Sequence, residues 1–517
     1  MQLIHLVKLS QETAATRSRK KKVALMAPFL KQLTPAEVEI AASWLMGELR
    51  QGKIGLGYSA VRAVREQPAA SEPALQLQQV SSFFDRIAEI NGPGSAGARL
   101  QLLQELFALA TASEQEFLQR LIVGELRQGA LEGVLQEAVA GAASVSLNSV
   151  RRALMLSGDI RKVAVAALKN GESGLAGFRL ELLHPLQPML AQSAEAVEQV
   201  FERFRPPLLE YKLDGARIQV HRQGDEVRIF TRNLNNVTAA LPEIVKMVQN
   251  LPVTRLILDG EALVMREGGA PAPFQVTMSR FGRKSPDSEL QNQLPLTPFF
   301  FDVLHAGGED LIDRPLQERK DLLQKIIPAE FQIPSVFAGT AEKTAAFLKQ
   351  SLLSGHEGMM AKSAESLYEA GRRGNQWLKI KPVYTLDLVI LAAEWGSGRR
   401  KGFLSNLHLG ARNPADNSFV MLGKTFKGLT DQMLAWQTQK LLELAIAREG
   451  HIVHVRPELV VEVAFDGIQA SSQYPGGMAL RFARVKRYRP DKSAEQADQI
   501  ENVRAIFEGN ANPHLFI

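Results

Sequence analysis

The hydrophobic pattern of the chain changes near residue 183, and this change limits the fold more than any other feature. Before it, segments such as "PAEVEIAASWLMGELR" and "LEGVLQEAVAGAA" carry apolar residues at three- and four-residue spacing, which is typical of amphipathic helices. The proline-rich stretch "LLHPLQPMLAQ" at Leu182–Gln192 then interrupts this periodicity and marks a boundary. We therefore expect an all-helical domain over residues 1–183.

Two further regions with different β character follow the boundary. Between residues 184 and 384, "ARIQVHR", "EVRIFTR", "RLILDGEALVM" and "PFFFDVLH" predict strands, and "EKTAAFLKQSLLSG" predicts a helix. After "KIKPVYTLDLVILAAEW", segments such as "NLHLGAR" and "LVVEVAF" are separated by Gly- and Asn-rich turns, a pattern that favours a small antiparallel barrel. We expect an α+β domain over residues 184–384 and a β-barrel domain over residues 385–517, which is a natural division for 517 residues.

Composition excludes several classes of protein. Cys is absent, which excludes disulfides, thiolate zinc sites and a cysteine nucleophile. No apolar run approaches the roughly 18 residues of a membrane span, and the basic cluster "TRSRKKK" at Thr16–Lys22 follows the first apolar residues instead of preceding them, unlike a secretory signal. The net charge of +6 and pI near 9.3 favour an anionic partner only weakly.

The hexapeptide "GELRQG" occurs at Gly47–Gly52 and again, identically, at Gly124–Gly129. Each copy is expected to end an amphipathic helix, with Arg in the last turn and a left-handed Gly just beyond it. Two interpretations stay open. The glycines could only close the helices of a duplicated hairpin, or the two helix ends could present backbone and basic groups to two similar targets, such as phosphates on either side of a symmetrical ligand.

The segment "LLEYKLDGARIQVHR" at Leu208–Arg222 places Lys212 between two carboxylates, Glu210 and Asp214, at two-residue spacing. An extended chain turns these three side chains to the same side. A nucleophilic lysine must have its pKa lowered from about 10.4 by burial or by cations, whereas these carboxylates would hold it charged. They fit better as ligands of something else, such as a base amino group or a metal. The segment alone equally allows a surface ion-pair ladder.

Further motifs follow Lys212 in a fixed order. They are "LDGEAL" at Leu258–Leu263, "FFDVL" at Phe300–Leu304, "EGMMAKS" at Glu357–Ser363, "NQWLKIK" at Asn375–Lys381 and "RVKRYRPDK" at Arg484–Lys492. Together with the lysine motif they resemble the six nucleotidyltransferase motifs of ATP-dependent DNA ligases. "GELRQG" resembles the helical DNA-binding domain of the archaeal and eukaryotic replicative type, and "PELVVEVAFDGIQ" with "ALRFARV" resembles its C-terminal OB domain, so the resemblance covers nearly the whole chain.

This resemblance implies a multidomain fold and a reaction. The fold is an all-α N-terminal DNA-binding domain, an α+β nucleotidyltransferase domain of the ATP-grasp-like ligase type and a β-barrel OB-fold C-terminal domain. The amine of Lys212 attacks the α-phosphorus of ATP, expels pyrophosphate and holds AMP as a phosphoramidate. The AMP passes to the 5′-phosphate of a nick in duplex DNA, and the adjacent 3′-hydroxyl then displaces AMP and seals the strand.

The resemblance also implies where the enzyme acts and with what. Besides ATP as adenylate donor, it implies Mg²⁺, with Mn²⁺ as the alternative, and nicked double-stranded DNA as the partner. A monomer in the cytoplasm, associated with the nucleoid in a prokaryote, is expected to serve DNA replication, repair, recombination and cell division. No clamp-docking tail is evident in the sequence, so a sliding-clamp partner stays open.

Nucleotide-binding roles can be assigned by motif position. Glu210 matches the acid that reads the adenine amino group, Arg217 and Arg232 match the arginines on ribose and phosphate, Glu261 matches the acid on ribose hydroxyls or metal, and Phe301 matches the aromatic that stacks on adenine. Phe301 lies in an apolar run, so a plain core position is the alternative.

Charged residues of the later motifs match phosphate- and metal-binding positions. The acid expected to support the divalent metal, with Glu261, is Glu357; the cations expected around the phosphates are Lys362, Arg373, Lys379 and Lys381; and the groups expected to orient pyrophosphate are Arg489, Asp491 and Lys492. The alternative interpretation of each of these residues is a solvated surface charge, and only the order of the motifs argues against it.

Departures from the family pattern concern packing positions. The family often has Val where Ala361 stands and Pro where Ala483 stands. "GKT" at Gly423–Thr425 is not a P-loop, because the first glycine of that motif would fall at Ser418. Thr425 and Lys427 are expected instead in a barrel loop that touches DNA.

Other functions compete with DNA ligation. An RNA ligase or a capping guanylyltransferase shares the lysine chemistry, but the long helical region with its duplicated "GELRQG" argues against both. A NAD-dependent DNA ligase is disfavoured because that family carries a four-cysteine zinc module. A non-catalytic DNA clamp predicts lost catalytic positions, yet Lys212, Glu261, Glu357 and Lys379 are all present.

Overall fold

The computed structural model describes residues 1–65, 67–126, 128–129, 132–194, 196–281, 288–369, 373–381 and 383–508. The chain forms two compact units. The first consists of Met1–Ala191, Gly215–Ile333 and Glu365–Gln376, and the second of Gln192–Asp214, Pro334–Ala364 and Trp377–Ile517. These units differ from the three expected domains, whose boundaries after residues 183 and 384 stay predictions.

The described part of residues 1–183 is helical, as the periodicity predicted. The helices are α1 (Leu3–Ala15), α2 (Arg19–Lys31), α3 (Pro35–Leu45), α4 (Tyr58–Ala63), α5 (Leu77–Glu89), α6 (Ser95–Ala108), α7 (Ala112–Ile122), α8 (Glu132–Ala143), α9 (Leu147–Ser157) and α10 (Ile160–Ala176). Their apolar faces share one core around Trp44, Phe84 and Phe107, which is how amphipathic helices are stabilised in water.

Helices α3 and α7 belong to an internal duplication longer than the hexapeptide. α3 begins at a capping box formed by Thr34 and Glu37, and α7 begins at one formed by Thr111 and Glu114. Such a box satisfies amides of the first turn and stabilises a helix by about 1 kcal/mol. The equivalent segments are therefore "TPAEVEIAASWLMGELRQG" and "TASEQEFLQRLIVGELRQG", each running from the helix start to beyond its end.

The first glycine of each hexapeptide, and not the last, closes its helix. Gly47 has φ 79° and Gly124 has φ 69°. In both copies this glycine and the next residue donate their N–H groups to carbonyls three and five residues earlier, which is the Schellman pattern. The expectation that Arg lies in the last helical turn is therefore wrong for the first copy: α3 ends at Leu45, and Arg50 beyond it pairs with Asp85 at 2.6 Å. Arg127 of the second copy lies outside the described residues. Phosphate binding by these turns stays a prediction.

The α+β region consists of short strands and helices between residues 190 and 380. In chain order they are β1 (Leu190–Ser193), α11 (Glu198–Arg203), β2 (Pro207–Lys212), β3 (Ala216–Gln223), β4 (Glu226–Thr231), α12 (Pro242–Gln249), β5 (Arg255–Val264), α13 (Phe274–Phe281), α14 (Ser288–Gln293), β6 (Leu296–Ala306), β7 (Glu309–Asp310), α15 (Leu316–Ile326), β8 (Ser335–Phe337), α16 (Ala341–Leu353), β9 (Gly358–Ser363) and β10 (Arg373–Ile380). The strands and the helix α16 expected from sequence are confirmed.

These strands form separate antiparallel sheets. In the first unit the order is β4-β3-β5-β6-β7, and α12 and α15 pack against it. The other five-stranded sheet has the order β1-β10-β9-β2-β8, and its second-unit core includes Leu209, Met359 and Leu378. The sequence motifs up to Lys381 therefore fall on these two sheets, and the last motif lies on a third sheet in the C-terminal region.

The C-terminal region is rich in antiparallel strands, as expected. Its elements are β11 (Tyr384–Trp395), β12 (Leu404–Arg412), β13 (Phe419–Thr425), α17 (Asp431–Glu443), β14 (Ala445–Glu449), β15 (Ile452–Val455), β16 (Val460–Phe465), β17 (Gly467–Ala470), β18 (Met478–Arg481), β19 (Arg484–Tyr488) and α18 (Ile500–Phe507). A seven-stranded sheet has β11 at its centre, paired with β12, β15 and β16. Its core is closed by residues of α17 and α18, such as Leu441 and Val503.

Helix length and polarity argue against a membrane span in the described ranges. None of the helices traced there combines sufficient length with sufficient apolar character to cross a bilayer.

Candidate active site

Strands β2, β9 and β10 of the second unit bring predicted site residues onto one face of a sheet. In the antiparallel register Lys212 lies opposite Gly358, and Lys379 lies opposite Met360. Because side chains alternate between the faces of a sheet, this face includes Leu208, Glu210, Lys212, Met360, Lys362, Trp377 and Lys379. A Cβ at Gly358 would lie 2.2 Å from the carbonyl oxygen of Ile380, so glycine allows the close approach of β10 beside Lys212.

Lys212 is held by an acid from a distant part of the sequence. Its Nζ donates a hydrogen bond to Glu357 Oε2, and the N–H of Glu357 donates to the Lys212 carbonyl at 3.0 Å. Lys381 donates to Glu357 Oε1 at 3.0 Å and also pairs with Asp466, which follows β16. Glu357 thus binds two of the predicted cations at once.

The charges of this cluster stabilise one another. Burial acts to raise the pKa of Glu357, but the ammonium groups of Lys212 and Lys381 outweigh it and lower the pKa below the ordinary value. Burial acts to lower the pKa of Lys381, but Glu357 and Asp466 raise it. Glu357 is therefore ionised at neutral pH and available as an anionic oxygen ligand.

The carboxylates that flank Lys212 in sequence have other partners. Glu210 pairs with Lys362 at 2.5 Å, and both side chains are almost fully buried; the Lys362 ammonium also lies 4.2 Å from the centre of the Trp377 ring. Asp214 accepts from Arg481 at 2.8 Å. Binding of a base amino group or a metal by these carboxylates stays a prediction, since their partners here are Lys362 and Arg481. The role of Lys362 at a phosphate stays a prediction, since its contact here is Glu210.

In the first unit, Arg217 of β3 is the centre of a second group of predicted residues. Its guanidinium forms a two-bond pair with Asp259 of β5, at 3.0 and 2.6 Å, and lies 5.4 Å from the ring centre of Phe301. Glu261 is opposite Arg217 in the β3–β5 register. Phe301 is buried beside this cation, which is compatible with both the stacking and the core interpretation, so its role stays a prediction.

The side chains of β3 that alternate with its core residues bind the proline-rich segment. Arg217 donates to the Met189 carbonyl at 2.6 Å, Gln219 accepts from the Leu186 N–H at 2.7 Å, and the His221 Nδ1 accepts from the Leu183 N–H at 3.1 Å. Burial lowers the pKa of His221 to about 3, so the ring is neutral and can accept this bond. The boundary segment is thus a structured strap on β3 and not a loose linker.

Arg232 lies on an exposed turn after β4, and it lines a small pocket together with Arg217 and Asp259. It lines a cavity of about 650 Å³ in the first unit together with Arg161 and Lys162 at the start of α10. Glu132 lines the same cavity, where burial, and then the charge of Glu48, raises its pKa. The mixture of cations and acids makes this cavity strongly polar. Contact of Arg232 with ribose or phosphate stays a prediction.

The last motif divides between two places: Arg484 lies 3.6 Å from Asp466 of the Lys212 cluster, whereas the residues predicted to orient pyrophosphate have other contacts. Arg489 and Lys492 both bind Asp387 of β11, at 2.8 and 2.6 Å, and Arg489 also pairs with Asp491. Arg373 begins β10, but its side chain lies outside the described residues. The role of Arg489, Asp491 and Lys492 in orienting pyrophosphate therefore stays a prediction.

A basic and aromatic loop surface is present in the C-terminal region. Phe482 is 60% exposed with φ 56°, and Lys427 lies 5.5 Å from its ring centre. Phe426 is exposed beside Arg400. Thr425, by contrast, is buried and its hydroxyl donates to the Ala483 carbonyl at 2.6 Å, so the expected exposure of Thr425 to DNA is wrong. "GKT" lies in β13, which agrees with rejecting a P-loop.

Comparison with known families and proteins covers almost the entire chain. The family described as "ATP dependent DNA ligase domain" matches residues 188–381, its C-terminal region matches 400–492 and the DNA ligase N terminus matches 51–140. A protein named "Probable DNA ligase" from Anaeromyxobacter sp. (strain Fw109-5) is 56% identical over 508 residues, which are 98% of each chain. The chain belongs to the ATP-dependent DNA ligase family. Another "Probable DNA ligase", from Sorangium cellulosum (strain So ce56), is 54% identical over 98% of this chain and 95% of that protein.

Solved structures agree with this fold. The structure titled "Pmar-Lig_Pre." has a TM-score of 0.63 and 18% identity, and the match covers 94% of this chain and 99% of that one. The resemblance in motif order to ATP-dependent DNA ligases is therefore confirmed, and with it the expected fold class. The family's activity is the sealing of DNA nicks through an adenylate, so this ligase is an enzyme and not a non-catalytic clamp.

Several residues of this ligase that surround the predicted positions were missed from sequence. Tyr368 donates a hydrogen bond to Asp259 at 2.8 Å beside Arg217. Asp466 accepts from Lys381, and Arg481 donates to Asp214 of the lysine motif. Asp259 stands in the quoted "LDGEAL" and could have been found there. Asp466 and Arg481 likewise stand in the quoted "PELVVEVAFDGIQ" and "ALRFARV", whereas Tyr368 lies outside the quoted segments and only the folded chain identifies it.

Proposed function

We propose that Lys212 is the nucleophile through which this ligase seals nicks in duplex DNA. The observation that carries this proposal is the half-buried contact of Lys212 with Glu357, on the sheet face that also carries Glu210 and Lys379. It supports a lysine with a defined chemical task, because a plain surface ladder would pair Lys212 with its own flanking acids. They instead have partners of their own, Lys362 and Arg481.

In the first step the Lys212 nitrogen forms a bond to the α-phosphorus of ATP as the bond to pyrophosphate breaks. Lys212 must lose a proton to present its lone pair. Lys212 donates to Glu357, so this hydrogen bond must be released before the nitrogen can attack phosphorus. A divalent cation held by Glu357 would compete with Lys212 for this carboxylate, and Lys381 would keep its own bond to Glu357 Oε1.

The charge of Glu357 fits a divalent metal. Among the described residues no group of three or more acidic, His or Cys side chains is arranged to hold a metal ion by itself. Mg²⁺ is commonly held by one or two carboxylates together with substrate phosphates. Glu357 alone could therefore serve as the protein ligand, and Glu261 is the other predicted acid. A bound Mg²⁺ or Mn²⁺ would neutralise charge on the phosphates. Lys381 would add a second positive charge there.

The remaining steps return Lys212 to its starting state. An oxygen of the nick 5′-phosphate attacks the phosphorus of lysyl-AMP, and breaking of the P–N bond regenerates the amine. The 3′-hydroxyl then attacks the activated 5′-phosphorus, and AMP leaves. The residues proposed to orient pyrophosphate are Arg489, Asp491 and Lys492, and those proposed to hold the nucleotide are Glu210, Arg217, Arg232, Glu261, Phe301, Lys362, Arg373, Lys379 and Lys381.

DNA binding is proposed to rest mainly on phosphate contacts and stacking. The exposed Phe482 beside Lys427 and the cations Arg161, Lys162 and Arg232 of the polar cavity support this. Such binding is sensitive to salt and tolerant of sequence. We propose a cytoplasmic monomer, associated with the nucleoid in a prokaryote, that acts in replication, repair, recombination and cell division; a sliding-clamp partner is left open.

The test of this proposal uses ATP labelled at the α-phosphate, with Mg²⁺. Acid-labile label is expected on the wild type and on the control Lys349→Ala, whose exposed lysine lies in α16, and is expected to be lost in Lys212→Ala. Labelling by GTP but not ATP would instead favour a capping guanylyltransferase. A nicked DNA duplex and a nicked RNA duplex, added separately, distinguish DNA sealing from RNA sealing.

A further inference from the structure

A closed ring of hydrogen bonds surrounds the guanidinium of Arg217. Arg217 donates to both oxygens of Asp259 and to the Met189 carbonyl, Tyr368 donates to Asp259 Oδ2 at 2.8 Å, and the Met189 N–H donates to the Tyr368 hydroxyl at 3.3 Å. The members come from four separate segments of the first unit. Only Met189 contributes backbone, so the geometry depends on the three side chains.

The ring is shielded from water, which makes its bonds strong and their loss costly. Asp259 is 1% exposed and Tyr368 is 2% exposed. Burial, and then the nearby Asp259 charge, raises the pKa of the Tyr368 hydroxyl well above its ordinary value. The hydroxyl is therefore protonated throughout the working pH range and donates to Asp259 at all times.

The position of Tyr368 is fixed independently of its hydroxyl. Its N–H donates to the Ile312 carbonyl at 2.9 Å. On the opposite side, Arg319 lies 6.0 Å from the Tyr368 ring centre and donates to the carbonyl of Ser366 at 3.1 Å. Phenylalanine at 368 would keep these contacts, so the substitution removes the hydroxyl without moving the chain.

We propose that Tyr368 is a positioning residue for nucleotide binding, which acts through Asp259 to hold the Arg217 guanidinium against the Phe301 ring. This inference rests on the proposed function, in which Arg217 and Phe301 contact the nucleotide. Asp259 Oδ2 accepts from both Arg217 Nη2 and Tyr368. With the Tyr368 bond lost, the carboxylate can rotate, and Arg217 loses its fixed plane. Tyr368 itself need not touch the nucleotide.

The test measures lysyl-AMP formation by Tyr368→Phe over a range of ATP concentrations. Loss of one buried hydrogen bond to a charged group predicts a KM for ATP raised about tenfold, with kcat within about twofold of wild type because Lys212 is untouched. Sealing of a nick by enzyme that already carries AMP should proceed at the wild-type rate. The matched control is Tyr474→Phe, in the loop between β17 and β18, which should leave the KM unchanged.

A double substitution separates positioning from general destabilisation. In an Arg217→Lys background the guanidinium plane no longer exists, so adding Tyr368→Phe should change the KM for ATP less than twofold. Equal effects in both backgrounds, or a loss of kcat with unchanged KM, would overturn the proposal. If Tyr368→Phe does not fold, Asp259→Asn is measured in the same way, and an unchanged KM overturns it. Failure of wild-type protein to form lysyl-AMP would instead contradict the proposed function.

Discussion

The buried ion pair of Arg319 and Asp302 provides a stability prediction that can be worked out from the structure. Arg319 of α15 donates to both oxygens of Asp302, at 2.8 and 2.9 Å, and both side chains are 0% exposed. A further donor of Arg319 binds the Arg314 carbonyl at 2.5 Å. Arg319→Met leaves the Asp302 charge buried without this counterion, which destabilises by about 3–5 kcal/mol. Arg319→Met combined with Asp302→Asn should recover at least about 2 kcal/mol of this loss, because no buried charge is left.

The assay is hydrogen–deuterium exchange of peptides from β6 and α15, because a chain with several compact units does not unfold in a single step. Arg319→Met should speed exchange of these peptides by about a hundredfold or more. Peptides from α17, in the second unit, serve as an internal control and should keep the wild-type rate. Unchanged exchange in β6 of Arg319→Met would refute the reasoning. A double variant whose loss of stability equals the sum of the two single losses would refute it as well.

Other predictions concern the C-terminal region. The pKa of Glu394 is lowered from 4.5 to about 2, since Lys424, His408 and Asn406 outweigh the opposing effect of burial. The ionised Glu394 therefore contributes its full stabilisation above about pH 4.5, and this stabilisation is lost as the pH falls toward 2. Hydrogen–deuterium exchange of β11 peptides across this pH range should report the loss of stability in the wild type and not in Glu394→Gln. Phe482→Ala should weaken binding to nicked duplex about tenfold, because stacking is lost, and should form lysyl-AMP at the wild-type level. The control Phe507→Ala should bind nicked duplex as the wild type does. Equal binding by the two variants would contradict a DNA contact of Phe482.

Periodicity and motif order predicted much of this fold because they depend on local spacing. Alternating apolar residues identified β3, β5 and β16, and the periodic pattern before residue 183 identified the helical bundle. The helix α17 was missed although its segment begins with a Thr cap, Thr430, and carries apolar residues at helical spacing. The end of α3 was misplaced because the hexapeptide offers two glycines, and only backbone hydrogen bonds decide which of them caps the helix.

Partners within the site could not be predicted by spacing. Glu357 is 145 residues from Lys212, and Arg481 is 267 residues from Asp214, so their contacts depend on strand order and not on local pattern. The alternating polar residues Arg217, Gln219 and His221 did carry a signal: a strand whose second face is polar and also buried needs partners. Those partners are the backbone groups of the proline-rich strap, which composition alone presented as a boundary.

Peptide mapping by mass spectrometry, after incubation with ATP and Mg²⁺, tests the central claim most directly. The account predicts one AMP adduct, on the nitrogen of Lys212, which disappears when free ATP is removed and nicked duplex DNA is then added and sealed. An adduct on any other residue, or none on folded protein, would contradict it.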